Sequence, residues 1–128
     1  MGKQQPSTVV PIVFVSSTSE DLQSHRAAAR DAAVAANCLP KMMEYFAASG
    51  EKPPLETCLE KVSESNVLVE VVAQRYGWVP PDQPPRRHKS ITWLECEQSA
   101  AEGKEILAFL IDDTHPWPEN LKEEYSVT

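Results

Sequence analysis

The stretch VVPIVFVSST (residues 9–18) joins a run of apolar, mostly β-branched residues to three hydroxyl side chains. A nearly continuous apolar run predicts a strand that is buried on both faces, as in a parallel sheet. Three further segments have strand character: CLPKMMEY (38–45), NVLVEVV (66–72) and ILAFLI (106–111). Pro40 makes the second of them a candidate for an edge strand, because proline cannot donate to a sheet hydrogen bond.

Helical patterns fill the intervals between the predicted strands. The first helix is expected to start with the capping-box spacings Ser17–Glu20 and Thr18–Asp21 and to end near Asn37. The third is expected to start at Ser90 or Thr92 and to end at Gly103. This β-α-β-α-β-α-β order predicts an α/β, flavodoxin-like fold, in which a parallel sheet of four to five strands carries helices on both faces.

The boundaries of this domain follow from composition. Residues 1–8 are polar and predict a flexible N-terminal lead-in, and residues 9–112 form the predicted α/β domain. Residues 113–128 predict a C-terminal turn and short helix, which would link the domain to a following module. A chain of 128 residues suits one such domain.

Charge and cysteine usage exclude several functional classes. The net charge of -7 argues against a general nucleic-acid binder and disfavours anionic membranes. Three widely spaced cysteines and three scattered histidines suggest neither a disulfide framework nor a metal site. With no signal peptide and no apolar run long enough to cross a bilayer, a cytoplasmic location is expected.

The first candidate site is Ser16-Ser17-Thr18, between a buried strand and a helix start. Ligands of open α/β sheets bind beyond the carboxyl ends of the strands, where free N–H groups at a helix start favour phosphate. Helix capping alone would account for two of these three hydroxyls. The sequence leaves ligand contact and capping as alternatives, and it contains no glycine-rich phosphate loop.

A second candidate, Arg75-Tyr76-Gly77-Trp78, directly follows the third predicted strand. Arg75 could bind a phosphate or form a structural ion pair. Tyr76 or Trp78 could stack on a flat base or anchor the loop.

The start of the third predicted helix carries two acids, Glu95 and Glu97, which point in different directions. Glu97 lies near an apolar stripe of Trp93, Cys96 and Ala100, so helical periodicity predicts that Glu97 is the more buried acid. Glu95 could cap the helix, because Thr92-x-x-Glu95 has capping-box spacing. Either carboxylate could instead act on a sugar, as in glycoside chemistry.

Together these segments resemble the TIR-like domain of unknown function found at the N-termini of many STAND-type (NACHT or NB-ARC) NTPases. The resemblance rests on four motifs in order: VFVSST (13–18) with Asp21, Leu22 and Arg26; MEYF (43–46); RYG (75–77); and Ser90-x-Thr92-x-x-Glu95 with Gly103-Lys104. It extends from about Val10 to Ile111. The wider superfamily includes TIR domains that cleave NAD and nucleoside deoxyribosyltransferases.

The resemblance implies a catalytic glutamate at the start of the third helix, eight residues before a Gly-Lys pair. This spacing selects Glu95, with Glu97 as the second choice, since a tryptophan four residues before the glutamate would point from Trp93 to Glu97. Ser16, Ser17, Thr18, Arg75, Tyr76 and Trp93 are then the expected nucleotide-binding residues. No cofactor or metal is implied, and NAD or a related nucleotide is the expected substrate.

Two functions follow as hypotheses. The domain would cleave an N-glycosidic bond as an effector module, or it would be a non-catalytic module that self-associates. Self-association and a C-terminal NTPase module are the expected partners, without nucleic acid or membrane. A free-standing deoxyribosyltransferase is a third, weaker hypothesis, because we identify no aspartate pair for its site.

Overall fold

The computed structural model describes residues 9–18, 22–43, 53–73, 76–84 and 86–111. Its strands are β1 (Ile12–Ser16), β2 (Leu39–Lys41), β3 (Val67–Val72) and β4 (Glu105–Leu110). Its helices are α1 (Gln23–Ala35), α2 (Leu55–Ser63) and α3 (Ile91–Ala101). The strands form one parallel sheet in the order β2-β1-β3-β4. This is the α/β, flavodoxin-like arrangement that the alternating pattern predicts.

The strand order determines where the helices lie. The connection from β1 to β2 runs one way along the sheet, and the two later connections run the other way. Right-handed crossovers therefore place α1 on one face and α2 and α3 on the other. Under α2 and α3, Phe14 and Leu68 of the sheet pack with Val62 of α2. A second cluster joins Leu55 and Cys58 of α2 to Ile91 and Leu94 of α3.

Several local predictions are confirmed. The proline-containing strand β2 is short and lies at an edge of the sheet. Asn37 follows α1 with a φ of 62°, and Gly103 follows α3 with a φ of 70°. Gly103 suits this left-handed position because it has no Cβ, and its N–H donates to the carbonyl of Ala100.

One predicted helix start is wrong, and the other is confirmed at Ser90. Helix α1 begins at Gln23 with Leu22 at the N-cap and no side-chain cap, so neither Ser17 nor Thr18 caps it. Helix α3 begins after Ser90, whose Oγ accepts a hydrogen bond from the N–H of Trp93 at 3.2 Å. Thr92 therefore lies inside α3, and the predicted Thr92–Glu95 capping box is not formed. The carboxylate that would have completed this box is used in a tertiary contact instead.

None of the described helices has both the length and the apolar character needed to cross a bilayer. The longest of them, α1, has 13 residues.

Candidate functional site

Three segments meet at the carboxyl ends of β1 and β3: the residues after β1, the residues after β3 and the first turn of α3. Gly77 shows how closely they approach. A Cβ on Gly77 would lie 2.8 Å from Cγ2 of Thr18 and 3.9 Å from Oγ1 of Thr92. Gly77 also has a φ of 95°, a backbone conformation that favours glycine. This close packing requires glycine at position 77.

Glu95 is the buried acid of this region. Its exposed fraction is 2%, and Ser16, at the last position of β1, is 1% exposed. The Ser16 hydroxyl donates a hydrogen bond to Oε1 of Glu95 at 2.8 Å, across 79 positions of the chain. A buried carboxylate is tolerated only where donors replace water, and Ser16 is one such donor. The contact joins the first predicted site segment to the helix that carries the predicted catalytic acid.

Glu97 has the opposite environment, so the prediction that it is the more buried acid is wrong. Its side chain is 42% exposed and forms a salt bridge with Lys89. The indole N–H of Trp93 also donates to Glu97, at 3.0 Å. The hydrogen bond from Lys89 is the main cause that lowers the pKa of Glu97. Glu97 is thus a charged residue of the outer surface of α3.

The periodicity argument failed because the buried face of α3 is partly polar. Ile91 and Leu94 pack against α2, while Thr92, Glu95 and Ser99 are also buried on this helix. Trp93 of the supposed apolar stripe is 49% exposed. The periodicity argument assumes that the buried stripe of a helix is apolar. This assumption does not hold for α3, because Glu95 forms a buried polar contact with Ser16.

Glu70 is a second buried acid, which the sequence analysis did not identify. It lies on β3 opposite Ser16 in the parallel register and is 8% exposed. Burial raises the pKa of Glu70, and a hydrogen bond from the Cys96 thiol partly offsets this. Burial, with a further contribution from Glu70, raises the pKa of Cys96 to about 11. The signal in the sequence was one acid inside the run VLVEVV.

Ser17 and Thr18 are both 8% exposed, and Ser17 contacts a buried cation. Arg26 of α1 is 4% exposed, and its Nη1 donates to the Ser17 hydroxyl at 2.8 Å and to the Ser17 carbonyl at 3.1 Å. The Ser17 hydroxyl in turn donates to the carbonyl of Thr18 at 3.0 Å. Arg26 therefore holds the segment after β1 in place, a role that the sequence analysis did not assign.

The predicted aromatic residues form a cluster on the outer surface. The rings of Tyr76 and Trp93 meet edge to face with centroids 6.2 Å apart. Nζ of Lys89 lies 5.6 Å from the centroid of the Trp93 ring. The Tyr76 hydroxyl donates to the carbonyl of His88 at 3.0 Å. The predicted phosphate ligand Arg75 lies outside the described residues.

A groove of about 570 Å³ lies elsewhere, between α2, α3 and Asp82. Leu55, Leu59, Ser63 and Gln98 contribute to its lining, and none of the described predicted site residues does. Within the described ranges, no three His, Cys, Asp or Glu side chains are grouped as metal ligands would be.

The Gly-Lys pair after α3 has a structural role at the opposite end of the sheet. Nζ of Lys104 donates to the carbonyls of Ser63 and Ser65, where α2 ends and β3 approaches. A lysine is favourable at the C-terminal end of a helix, where backbone carbonyls lack helical partners. This pair positions α3 relative to α2.

Comparison with known proteins shows the family of this chain. A search of curated proteins finds no match to this chain. The model of one protein family matches residues 12–127, which is most of the 128-residue sequence. The chain therefore belongs to the family described as Domain of unknown function (DUF4062).

Proposed function

We propose that this domain is a TIR-like effector module of a cytoplasmic STAND-type defence or signalling protein, and that it cleaves the N-glycosidic bond of NAD or a related nucleotide. The observation that carries the proposal is the buried Glu95 carboxylate, held by Ser16 at the carboxyl end of the sheet. Ligands of parallel α/β sheets bind at this end. A C-terminal NTPase module would bring several copies together.

In the proposed reaction, the bond between C1′ of the ribose and the nicotinamide nitrogen breaks, and the nitrogen keeps the electron pair. The carboxylate of Glu95 stabilises the resulting ribosyl cation or attacks C1′ to form an ester. Water then bonds to C1′ and releases a proton, and where the ester has formed, the bond between C1′ and the Glu95 carboxylate breaks in this step. Since nicotinamide leaves as a neutral ring, the leaving group needs no general acid.

The other predicted residues would bind the substrate. The hydroxyls of Ser17 and Thr18, together with Arg75, would contact phosphate oxygens. Tyr76 and Trp93 would stack on a base, because the Trp93 ring is half exposed at the start of α3. Because Glu95 is only 2% exposed, the segments around it must separate for a sugar to reach the carboxylate.

The test is NAD turnover by the full chain, measured both dilute and clustered on a multivalent support. Glu95→Gln is nearly isosteric and keeps an oxygen that can accept from Ser16, so it removes the charge with little change in packing. Glu97→Gln is the matched control on the outer surface of the same helix. We expect turnover to fall at least ~100-fold in the first variant and to stay near the parent level in the second.

Loss in the Glu97 variant alone would contradict the assignment of Glu95. Absence of turnover of NAD and related nucleotides in every clustered form would reject the catalytic proposal.

A second candidate function is a non-catalytic module for homotypic association. The observation that favours it is the exposed apolar surface of β4, where Phe109 is 56% and Leu110 is 75% exposed. In that case the Ser16–Glu95 contact would only attach α3 to the sheet.

A further inference from the structure

Among the described residues, the two edge strands of the sheet differ in how they are protected from further pairing. The β2 edge has three residues, and they include Pro40, which has no N–H, and the charged Lys41. The β4 edge has six residues, EILAFL, of which only Glu105 is charged. Short strands, proline and lysine are the means by which proteins block unwanted strand addition. They are present at one edge and absent from the other.

Side chains along β4 are apolar and exposed on both faces of the sheet. Ile106 packs with the cluster under α2 and α3, so Ala108 and Leu110 point to that face and Leu107 and Phe109 to the other. The exposed fractions of Leu107, Phe109 and Leu110 are 44%, 56% and 75%. In the described part of the chain, no strand pairs with the outer side of β4.

We propose that the outer edge of β4 binds a second copy of this chain, by antiparallel pairing of the two β4 strands about a two-fold axis at Ala108. Directly opposite residues of an antiparallel pair point to the same face. In this register Leu107 lies opposite the partner's Phe109, and Ile106 lies opposite the partner's Leu110. The apolar segment is therefore complementary to itself, as a two-fold interface requires.

The small charge of the β4 segment favours association at this edge. Two copies with a net charge of -7 each repel one another, and the five residues 106–110 carry no charge. The register places Glu105 opposite the partner's Ile111, so no two carboxylates face each other. Pairing at this edge thus places an uncharged segment of each copy at the contact.

The size of the interface indicates a weak dimer. Covering Leu107, Phe109 and Leu110 would bury on the order of 300 Å² per copy, less than half of the ~800 Å² per partner in a stable complex. The dimer is therefore expected at high concentration or when copies are held together. This behaviour suits a module that acts only after clustering.

The pairing leaves the candidate site of each copy uncovered. Antiparallel β4 strands would join two four-stranded sheets so that the carboxyl ends of one lie beside the amino ends of the other. The two Glu95 residues then lie at opposite ends of the joined sheet, and neither copy completes the site of its partner. Dimerisation accordingly does not require Glu95, and Glu95→Gln should associate as the parent does.

Sedimentation velocity of the full chain, from roughly 1 to roughly 200 µM, tests the proposal. We expect the parent to shift from monomer towards dimer over this range, and Phe109→Lys to stay monomeric throughout. The matched control is Leu39→Lys, since Leu39 is 46% exposed on the blocked β2 edge. This control should associate as the parent does. A monomeric parent at every concentration, or equal effects of the two lysine variants, would overturn the proposal.

A cysteine variant tests the register without weakening the edge. Ala108→Cys places two thiols across the two-fold axis, so mild oxidation with oxidised glutathione should yield a covalent dimer. The parent contains Cys38, Cys58 and Cys96 and supplies the background. The dimer band should exceed this background at least ~10-fold and should be lost in the Ala108→Cys, Phe109→Lys double variant. No crosslink above background would reject the register, as expected if residues 112–128 or another protein cover β4 instead.

Discussion

The inner and outer faces of α3 carry two glutamates, two residues apart, in opposite environments. On the inner face, Glu95 is 2% exposed and accepts a hydrogen bond from Ser16. On the outer face, the Glu97 side chain is 42% exposed and paired with Lys89 and Trp93. The same residue type is thus a site candidate on one face and a surface ion on the other. The two glutamates differ because the two faces of α3 contact different residues, and the sequence around the glutamates does not show these contacts.

The largest effect on stability is expected at Gly77, which packs closely against Thr18. Gly77→Ala introduces a Cβ at 2.8 Å from Thr18 and forces an unfavourable φ of 95°. We expect a loss of about 2–4 kcal/mol in the free energy of unfolding, measured by urea denaturation.

Gly103→Ala is the matched control for Gly77→Ala. The φ of Gly103 is 70°, but nothing lies within 4 Å of an added Cβ. The variant therefore measures the backbone strain alone, which we expect to lower the free energy of unfolding by about 1 kcal/mol. Equal losses in the two variants would mean that the contact with Thr18 carries no energy.

A smaller effect is expected when the inner glutamate loses its serine donor. Ser16→Ala removes the 2.8 Å hydrogen bond to Glu95 inside the protein. Removing a donor from a buried acceptor costs about 1–3 kcal/mol, and we expect a loss in this range by urea denaturation. The control Ser24→Ala lies at an exposed position of α1 and should change stability by less than ~0.5 kcal/mol. A Ser16 variant as stable as the control would show that Glu95 does not depend on this donor.

The smallest effects on stability are expected at the buried acid Glu70 and the exposed acid Glu97, and the two effects should have opposite signs. Burial raises the pKa of Glu70 above its ordinary value of 4.5, so the folded state holds this proton more firmly than the unfolded state. The stability that Glu70 contributes is therefore complete below the unfolded pKa and is lost as the pH rises through the folded pKa. Gln resembles the protonated acid, so Glu70→Gln should gain stability over the parent as the pH rises from 4 to 7.

Glu97→Gln should act in the opposite direction. The pKa of Glu97 is lowered, chiefly by Lys89, so its contribution is present above the unfolded pKa and is lost as the pH falls. The variant should be slightly less stable than the parent at pH 7 and equal to it at low pH, by urea midpoints measured across this range. The same sign of change in the Glu70 and Glu97 variants would contradict the contrast between buried and exposed acids.

The elements of the fold were predictable because their signals are local. Strands β1, β3 and β4 are short, mostly apolar runs, and β2 lies at an edge as Pro40 indicates. Ser90, Asn37 and Gly103 mark helix ends that the structure confirms. The start of α1 was mispredicted because Ser17 has capping spacing but bonds to Arg26 and Thr18 instead. A side chain with two competing partners cannot be assigned from spacing alone.

The candidate site was predictable in place but not in composition. Strand ends of a parallel sheet converge, so the meeting of Thr18, Gly77 and Thr92 followed from the order of the elements. The burial of Glu70 and Arg26 was not foreseen, because each depends on what packs over it.

The sequence by itself determined the order of strands and helices, the protection of the β2 edge and the region where loops meet. These are properties of neighbouring residues, namely propensity, periodicity and turn chemistry. Only the tertiary structure decided that Glu95 is buried and Glu97 is exposed, that Glu70 lies beside Ser16, and that β4 presents an apolar edge. Burial and pairing are set by residues distant in the chain, as in the contact between Ser16 and Glu95, and no local pattern records them.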